Sequence, residues 1–81
     1  MRLDKYLKNS RLIKRRTVAK EACDGGRVSV NQKVAKAGTD LEIGDIIHIA
    51  FGNNSITVRV TALTESPRKD EAQDMYEIVQ E

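Results

Sequence analysis

Eight cationic side chains crowd the first twenty residues of this sequence: Arg2, Lys5, Lys8, Arg11, Lys14, Arg15, Arg16 and Lys20. The chemistry open to such a set is anion binding. RNA presents closely spaced phosphates, and each Lys or Arg that neutralises one releases condensed counterions, so a face of several cations acquires affinity without reading bases. Arginine grips a phosphate through two parallel hydrogen bonds and stacks on exposed bases, whereas lysine acts as a point charge. Arg2, Arg15 and Arg16 therefore carry the most weight. Asp4 sits among these cations, and two roles are open to it: orienting an arginine through a salt bridge, or accepting a hydrogen bond from a ribose 2′-hydroxyl.

Other reactive residue types lack partners at useful spacing. His48 lies in an apolar run with no Cys, His or carboxylate at metal-ligand distance, and reads as a structural or surface histidine. Cys23 falls on the inner half of a helical pattern and reads as a small core residue. Tyr6 could stack on a base, but its i+3 spacing from Leu3 favours packing in the core. Gly25-Gly26 lacks the Lys-Ser/Thr continuation and the preceding strand of a phosphate loop and is better read as a helix stop. No catalytic residues, cofactor or metal site are expected.

The elements that must position the cations follow from periodicity. Leu3, Tyr6 and Leu7 fall at i, i+3 and i+4, which predicts a helix from about Leu3 to Asn9, apolar inward, with Arg2, Lys5 and Lys8 outward. A link, Ser10 to Lys14, dips Leu12 and Ile13 into the core. A second helix is expected from about Arg16 to Asp24, with Val18, Ala19, Ala22 and Cys23 on its inner half and Arg16 and Lys20 together on another face. From Arg27 the period becomes two, giving a hairpin of Val28 to Val30 and Lys33 to Ala35 about a tight turn at Asn31-Gln32. Gly44-Asp45 turns into the β-branched run Ile46 to Phe51, a loop Gly52-Asn53-Asn54 leads to a strand through Ile56, Val58 and Val60, and a charged loop at 66–70 precedes a last strand near Met75 to Val79.

Composition bounds the rest. Eighty-one residues make one domain, and 40% hydrophobic content with no Trp and one Phe predicts a core of Val, Ile, Leu and Ala. One cysteine excludes an internal disulfide and points to a reducing, cytoplasmic compartment. No apolar run reaches the ~18 residues of a membrane span, so neither a membrane partner nor a signal peptide is expected. The net charge of +2 conceals a polarity: residues 1–36 hold eleven cations and three carboxylates, a charge of +8, and residues 37–81 hold three and nine, a charge of −6. With so few aromatics, recognition should rest on RNA shape and backbone.

The order Arg2-Leu3-Asp4-Lys5-Tyr6-Leu7, a basic link, a short helix containing Ala19, then Gly26-Arg27-Val28-Ser29-Val30-Asn31 and Gly44-Asp45, resembles the S-four (alpha-L) RNA-binding domain over about residues 1–51. Within that superfamily, Ser10-Arg11-Leu12-Ile13-Lys14-Arg15-Arg16-Thr17, the β-rich tail and Met75-Tyr76 are similar to the RqcP (YabO) family of Gram-positive bacteria over nearly the whole chain. The implied fold is α+β: two short N-terminal helices packed on a small, mostly antiparallel β-sheet, with residues 1–51 as the RNA-binding unit and 52–81 as a β-rich extension of the same domain. The implied function is non-catalytic binding of a large ribosomal subunit that carries obstructed peptidyl-tRNA, with contacts to large-subunit rRNA and the tRNA, in support of alanine tailing by an RqcH-type factor. The alternative is a heat-shock-type ribosome- or rRNA-binding protein with no role in tailing. Off the ribosome a monomer is expected.

Two departures from the superfamily pattern have physical consequences. Asn31-Gln32 stands where Asn-Gly is common, so the positive-φ turn is made by less suitable residues or by another turn type. Arg15 replaces a Ser or Thr at the start of the second helix, which forfeits a cap worth ~1 kcal/mol and sets a cation against the helix dipole. A bound phosphate would compensate both losses.

Overall fold

A computed structural model describes residues 1–65, 68 and 70–79 of the chain. Helix α1 spans Leu3–Asn9 and α2 spans Arg16–Asp24, at the bounds that apolar spacing predicts. The first amides of α1 are satisfied from outside the helix: Leu3 N–H donates to the Thr39 carbonyl at 2.8 Å and Asp4 N–H to that of Ala37 at 3.1 Å. The loop at 37–41 thus fixes the entry of α1. Helix α2 ends in a Schellman motif, in which Gly26 N–H donates to the Cys23 carbonyl and Arg27 N–H to that of Ala22, each at 3.0 Å. Gly26 supplies the positive φ of +78° that this ending requires.

Five strands follow in one sheet: β1 Val28–Val30, β2 Lys33–Val34, β3 Ile46–Phe51, β4 Asn54–Val60 and β5 Tyr76–Ile78. Their order is β2-β1-β3-β4-β5, and every pairing is antiparallel. The pairing of β3 with β4 crosses the 51/52 boundary, Phe51 facing Asn54, so Gly52-Asn53 is a two-residue turn rather than the longer loop expected. A 3-10 turn, Ala72–Met75, precedes β5 and has no counterpart in the sequence pattern. Of the charged loop expected at 66–70, Ser66, Pro67 and Lys69 lie outside the described residues.

Asn31 and Gln32 have φ of +52° and +73°, so the β1–β2 turn keeps both positive dihedrals with two non-glycine residues. Asn31 also ties the turn to β3, since its Oδ1 accepts from Ile46 N–H at 3.0 Å and its Nδ2 donates to Asp45 Oδ1 at 3.2 Å. The two distant parts of the motif, the hairpin Asn and the Gly-Asp turn, meet in space.

The core lies between the helices and one face of the sheet, where Leu3, Tyr6 and Leu7 of α1 are fully buried with Ile47, Ile49, Val58 and Val60. Ala19, Ala22 and Cys23 bring α2 against this cluster. Val18, expected on the inner half, is 45% exposed, because the inward stripe centres on Ala19 and Cys23 and leaves the first turn of α2 uncovered. Ile13 is buried and Leu12 half-buried, as the link requires.

Candidate nucleic-acid interface

Asp4 is 3% exposed, in the first turn of α1. Its Oδ1 accepts from Arg2 Nε at 3.2 Å and from the Lys5 amide at 2.9 Å, while Oδ2 accepts from Arg2 Nη2 at 3.5 Å and Arg16 Nε at 3.3 Å. Four bonds fill the acceptor sites of a carboxylate. Of the two roles open from sequence, the geometry therefore favours orienting arginines over receiving a 2′-hydroxyl. Burial pushes the carboxyl up, but the hydrogen bonds from Arg16, the Lys5 amide and Arg2, with the charge of Arg16, outweigh it and hold Asp4 ionised below its ordinary range.

The consequence is a fixed pair of guanidiniums. Arg2, just before α1, and Arg16, the first residue of α2, meet on one carboxylate, yet remain 52% and 49% exposed. Arg16 spends only Nε on Asp4 and keeps both terminal nitrogens, the fork that suits a phosphate, whereas Arg2 commits Nε and, at 3.5 Å, Nη2, leaving Nη1 and the second Nη2 hydrogen.

The other predicted cations divide. Lys5 pairs with Glu65, sixty residues away, and α1 is further tied to that segment by Asn9 Nδ2, which donates to the carbonyls of Thr64 at 3.2 Å and Glu65 at 2.9 Å. Lys8, Arg11, Lys14, Arg15 and Lys20 are exposed and make no ion pair with the described residues. Arg15 is the N-cap of α2, extended at φ −126° and ψ 139°, with no side-chain cap and no acidic residue in the following turn. Lys14 and Arg15 meet Arg27, a cation outside the predicted set, around a groove. Its place after Gly25-Gly26, whose turn returns the chain beside α2, is the signal that marks it.

The residues set aside on sequence grounds are structural. Tyr6 is fully buried and donates its hydroxyl to the Met75 carbonyl at 2.6 Å, with burial raising its pKa. Cys23 is buried and its thiol is pushed up to about 11, first by burial and then by the charges of Asp4 and Asp24. His48 shares a 2.9 Å hydrogen bond between Nδ1 and Thr57 Oγ1 across β3 and β4. Among the described residues no group of His, Cys, Asp and Glu could hold a metal ion, and no helix is long and apolar enough to cross a membrane.

Comparison with known proteins agrees with this geometry. The S4 domain family matches residues 1–47, the helices, the first hairpin and the Gly-Asp turn. An RQC P-site tRNA stabilizing factor of Halalkalibacterium halodurans is 56% identical over 81 residues, spanning 100% of this chain and 92% of that protein. One of Streptococcus pneumoniae is 54% identical over the same shares. A trimeric structure of Vibrio cholerae heat shock protein 15 superposes with a TM-score of 0.90 at 32% identity, covering 98% of this chain and 81% of that one. The chain thus belongs to the S4 domain family and, within it, to the family of RQC P-site tRNA stabilizing factors.

Proposed function

We propose that this chain is a non-catalytic RNA-binding factor of the cytoplasm that associates with the large ribosomal subunit holding obstructed peptidyl-tRNA. It contacts rRNA and tRNA and supports alanine tailing by an RqcH-type partner. The observation that carries the reading is the pair of guanidiniums, Arg2 and Arg16, held on one buried carboxylate in the +8 part of the chain. Its direction toward a P-site tRNA rests on the full-length similarity to proteins bearing that name.

The RNA-binding set comprises Arg2, Lys5, Lys8, Arg11, Lys14, Arg15, Arg16 and Lys20, with Asp4 as the residue that positions two of them. Arg2 and Arg16 supply fork geometry, and the exposed lysines supply counterion release. Binding stabilises the tRNA by holding its backbone, and no proton or bond is transferred.

The test is co-sedimentation with large subunits. Arg16→Ala weakens it and Arg2→Ala/Arg16→Ala abolishes it, with a circular-dichroism spectrum that remains that of the folded domain. Unchanged co-sedimentation of the double variant overturns the site. The likeness to heat shock protein 15 supports a second reading, ribosome binding without a part in tailing. Deleting the gene and probing stalled chains for alanine tails separates the two: persistence of the tails favours the second.

A further inference from the structure

Between the 12–15 link, the first turns of α2 and the far end of the β3–β4 hairpin lies an open groove of about 470 Å³. Leu12, Val18 and Phe51 form apolar walls, and Lys14, Arg15 and Arg27 supply cations, with no carboxylate in the lining. Val18 is 45% and Phe51 44% exposed, so an isopropyl group and an aromatic ring face solvent together in this groove, whereas the more exposed Val34, Ile43 and Ile78 lie outside it. An apolar slot with cations around it matches an object that is flat and apolar on its faces and anionic at one end.

We propose that this groove receives one unpaired nucleotide of the bound RNA, its base against Phe51 and Val18 and its phosphates on Lys14, Arg15 and Arg27. The inference rests on the RNA-binding reading and adds a subsite to it. The volume suits a single small ligand rather than a helix, which needs anchors over several turns. Stacking on an aromatic side chain is tolerant of base identity, and Arg adds to it through cation–π contact. Arg15 adjoins Arg16, so a nucleotide leaving a helical RNA stem held by the Arg2–Arg16 pair would have a short path to the slot.

The chain has no Trp, so Phe51→Trp and Val18→Trp each install one reporter at an exposed position. The probes are a labelled short RNA hairpin with one bulged adenosine, the same hairpin fully paired, and a helical peptide of Leu and Glu. Label anisotropy reads RNA binding independently of Trp emission. The expected result is saturable quenching of both reporters by the bulged hairpin and little by the paired one. Phe51→Ala weakens the bulged hairpin about tenfold, within the range for losing one stacked base, and leaves the paired one unchanged. Binding by anisotropy that leaves both Trp reporters unquenched overturns the groove assignment and spares RNA binding, whereas failure of the wild-type chain to bind either hairpin or large subunits overturns both. Quenching by the peptide and not by RNA gives the groove to a protein and also overturns the proposal.

Discussion

Asp4 Oδ2 accepts a hydrogen bond from Arg16 Nε at 3.3 Å, so a buried carboxylate in the first turn of α1 fixes the guanidinium that opens α2. Arg2 holds the same carboxylate through both of its oxygens. Removing this anion changes the long-range field and the arginine geometry in opposite directions, which makes its effect on RNA binding decisive.

Asp4→Asn raises the formal net charge from +2 by one, to +3. If charge alone governed binding, the variant would bind large subunits more tightly. The geometry predicts the reverse: the amide keeps the size of the carboxylate, but its NH2 group turns donors toward guanidinium donors, and Arg2 and Arg16 lose their common anchor. Affinity should fall several-fold in a co-sedimentation titration, with a stability loss of about 1 kcal/mol because the arginine ends are half in water. Tighter binding by Asp4→Asn would show that the pair is not prearranged.

The same carboxylate sets an acid limit on stability. Its folded pKa lies below the ordinary value of about 4 for an unfolded Asp. The unfolded chain therefore takes up the proton first as pH falls, and the contribution of Asp4 is fully present above that ordinary value and is lost as pH drops through the folded one. Urea midpoints measured from pH 7 down to about pH 2 should show the wild type losing its advantage over Asp4→Asn across the acid end. A gap of constant size over that whole window would place the stabilisation elsewhere.

Much of the fold is legible in the residues. The Leu3, Tyr6, Leu7 spacing and the Gly25-Gly26 stop delimit both helices, because a helix reports its buried face at short range. Alternation from Val28 and from Ile56 likewise reports strands. What is not legible depends on contacts distant in sequence. Nothing near Lys5 announces Glu65, and nothing near Asp4 announces its burial, since a carboxylate among cations looks solvated until a second helix closes on it. Val18 departs from expectation for a related reason: its position on the wheel is apolar, but no element covers the first turn of α2.

Gln32 offers a stability gain at a position outside the proposed RNA-binding set. At φ +73° it occupies a left-handed conformation that strains an L side chain by about 1–2 kcal/mol, and glycine relieves this while adding about 0.4–1 kcal/mol of unfolded-state entropy. Gln32→Gly should net about 0.5–1 kcal/mol, raising Tm by several degrees in a calorimetric scan. Asn31→Gly should not, because it also removes the bonds from Asn31 to Ile46 and Asp45. Equal gains from the two variants would mean that those side-chain bonds contribute nothing.

Tyr6 tests how α1 is joined to the C-terminal segment. Its hydroxyl is buried and donates to the Met75 carbonyl, which also accepts from Thr61 N–H at 2.9 Å and Ala62 N–H at 3.3 Å. Tyr6→Phe therefore deletes one donor without stranding the acceptor, and the loss stays near the net value of a neutral hydrogen bond, about 1 kcal/mol. Leu7→Ala, which opens a cavity at an equally buried site on the same helix, should cost about 2–5 kcal/mol. Denaturant midpoints of the two variants give the comparison, and large-subunit binding by Tyr6→Phe should match the wild type, since the hydroxyl points into the core. A loss for Tyr6→Phe as large as that for Leu7→Ala would mean that the Met75 carbonyl depends on the tyrosine, and that the backbone donors at Thr61 and Ala62 do not hold the strand end alone.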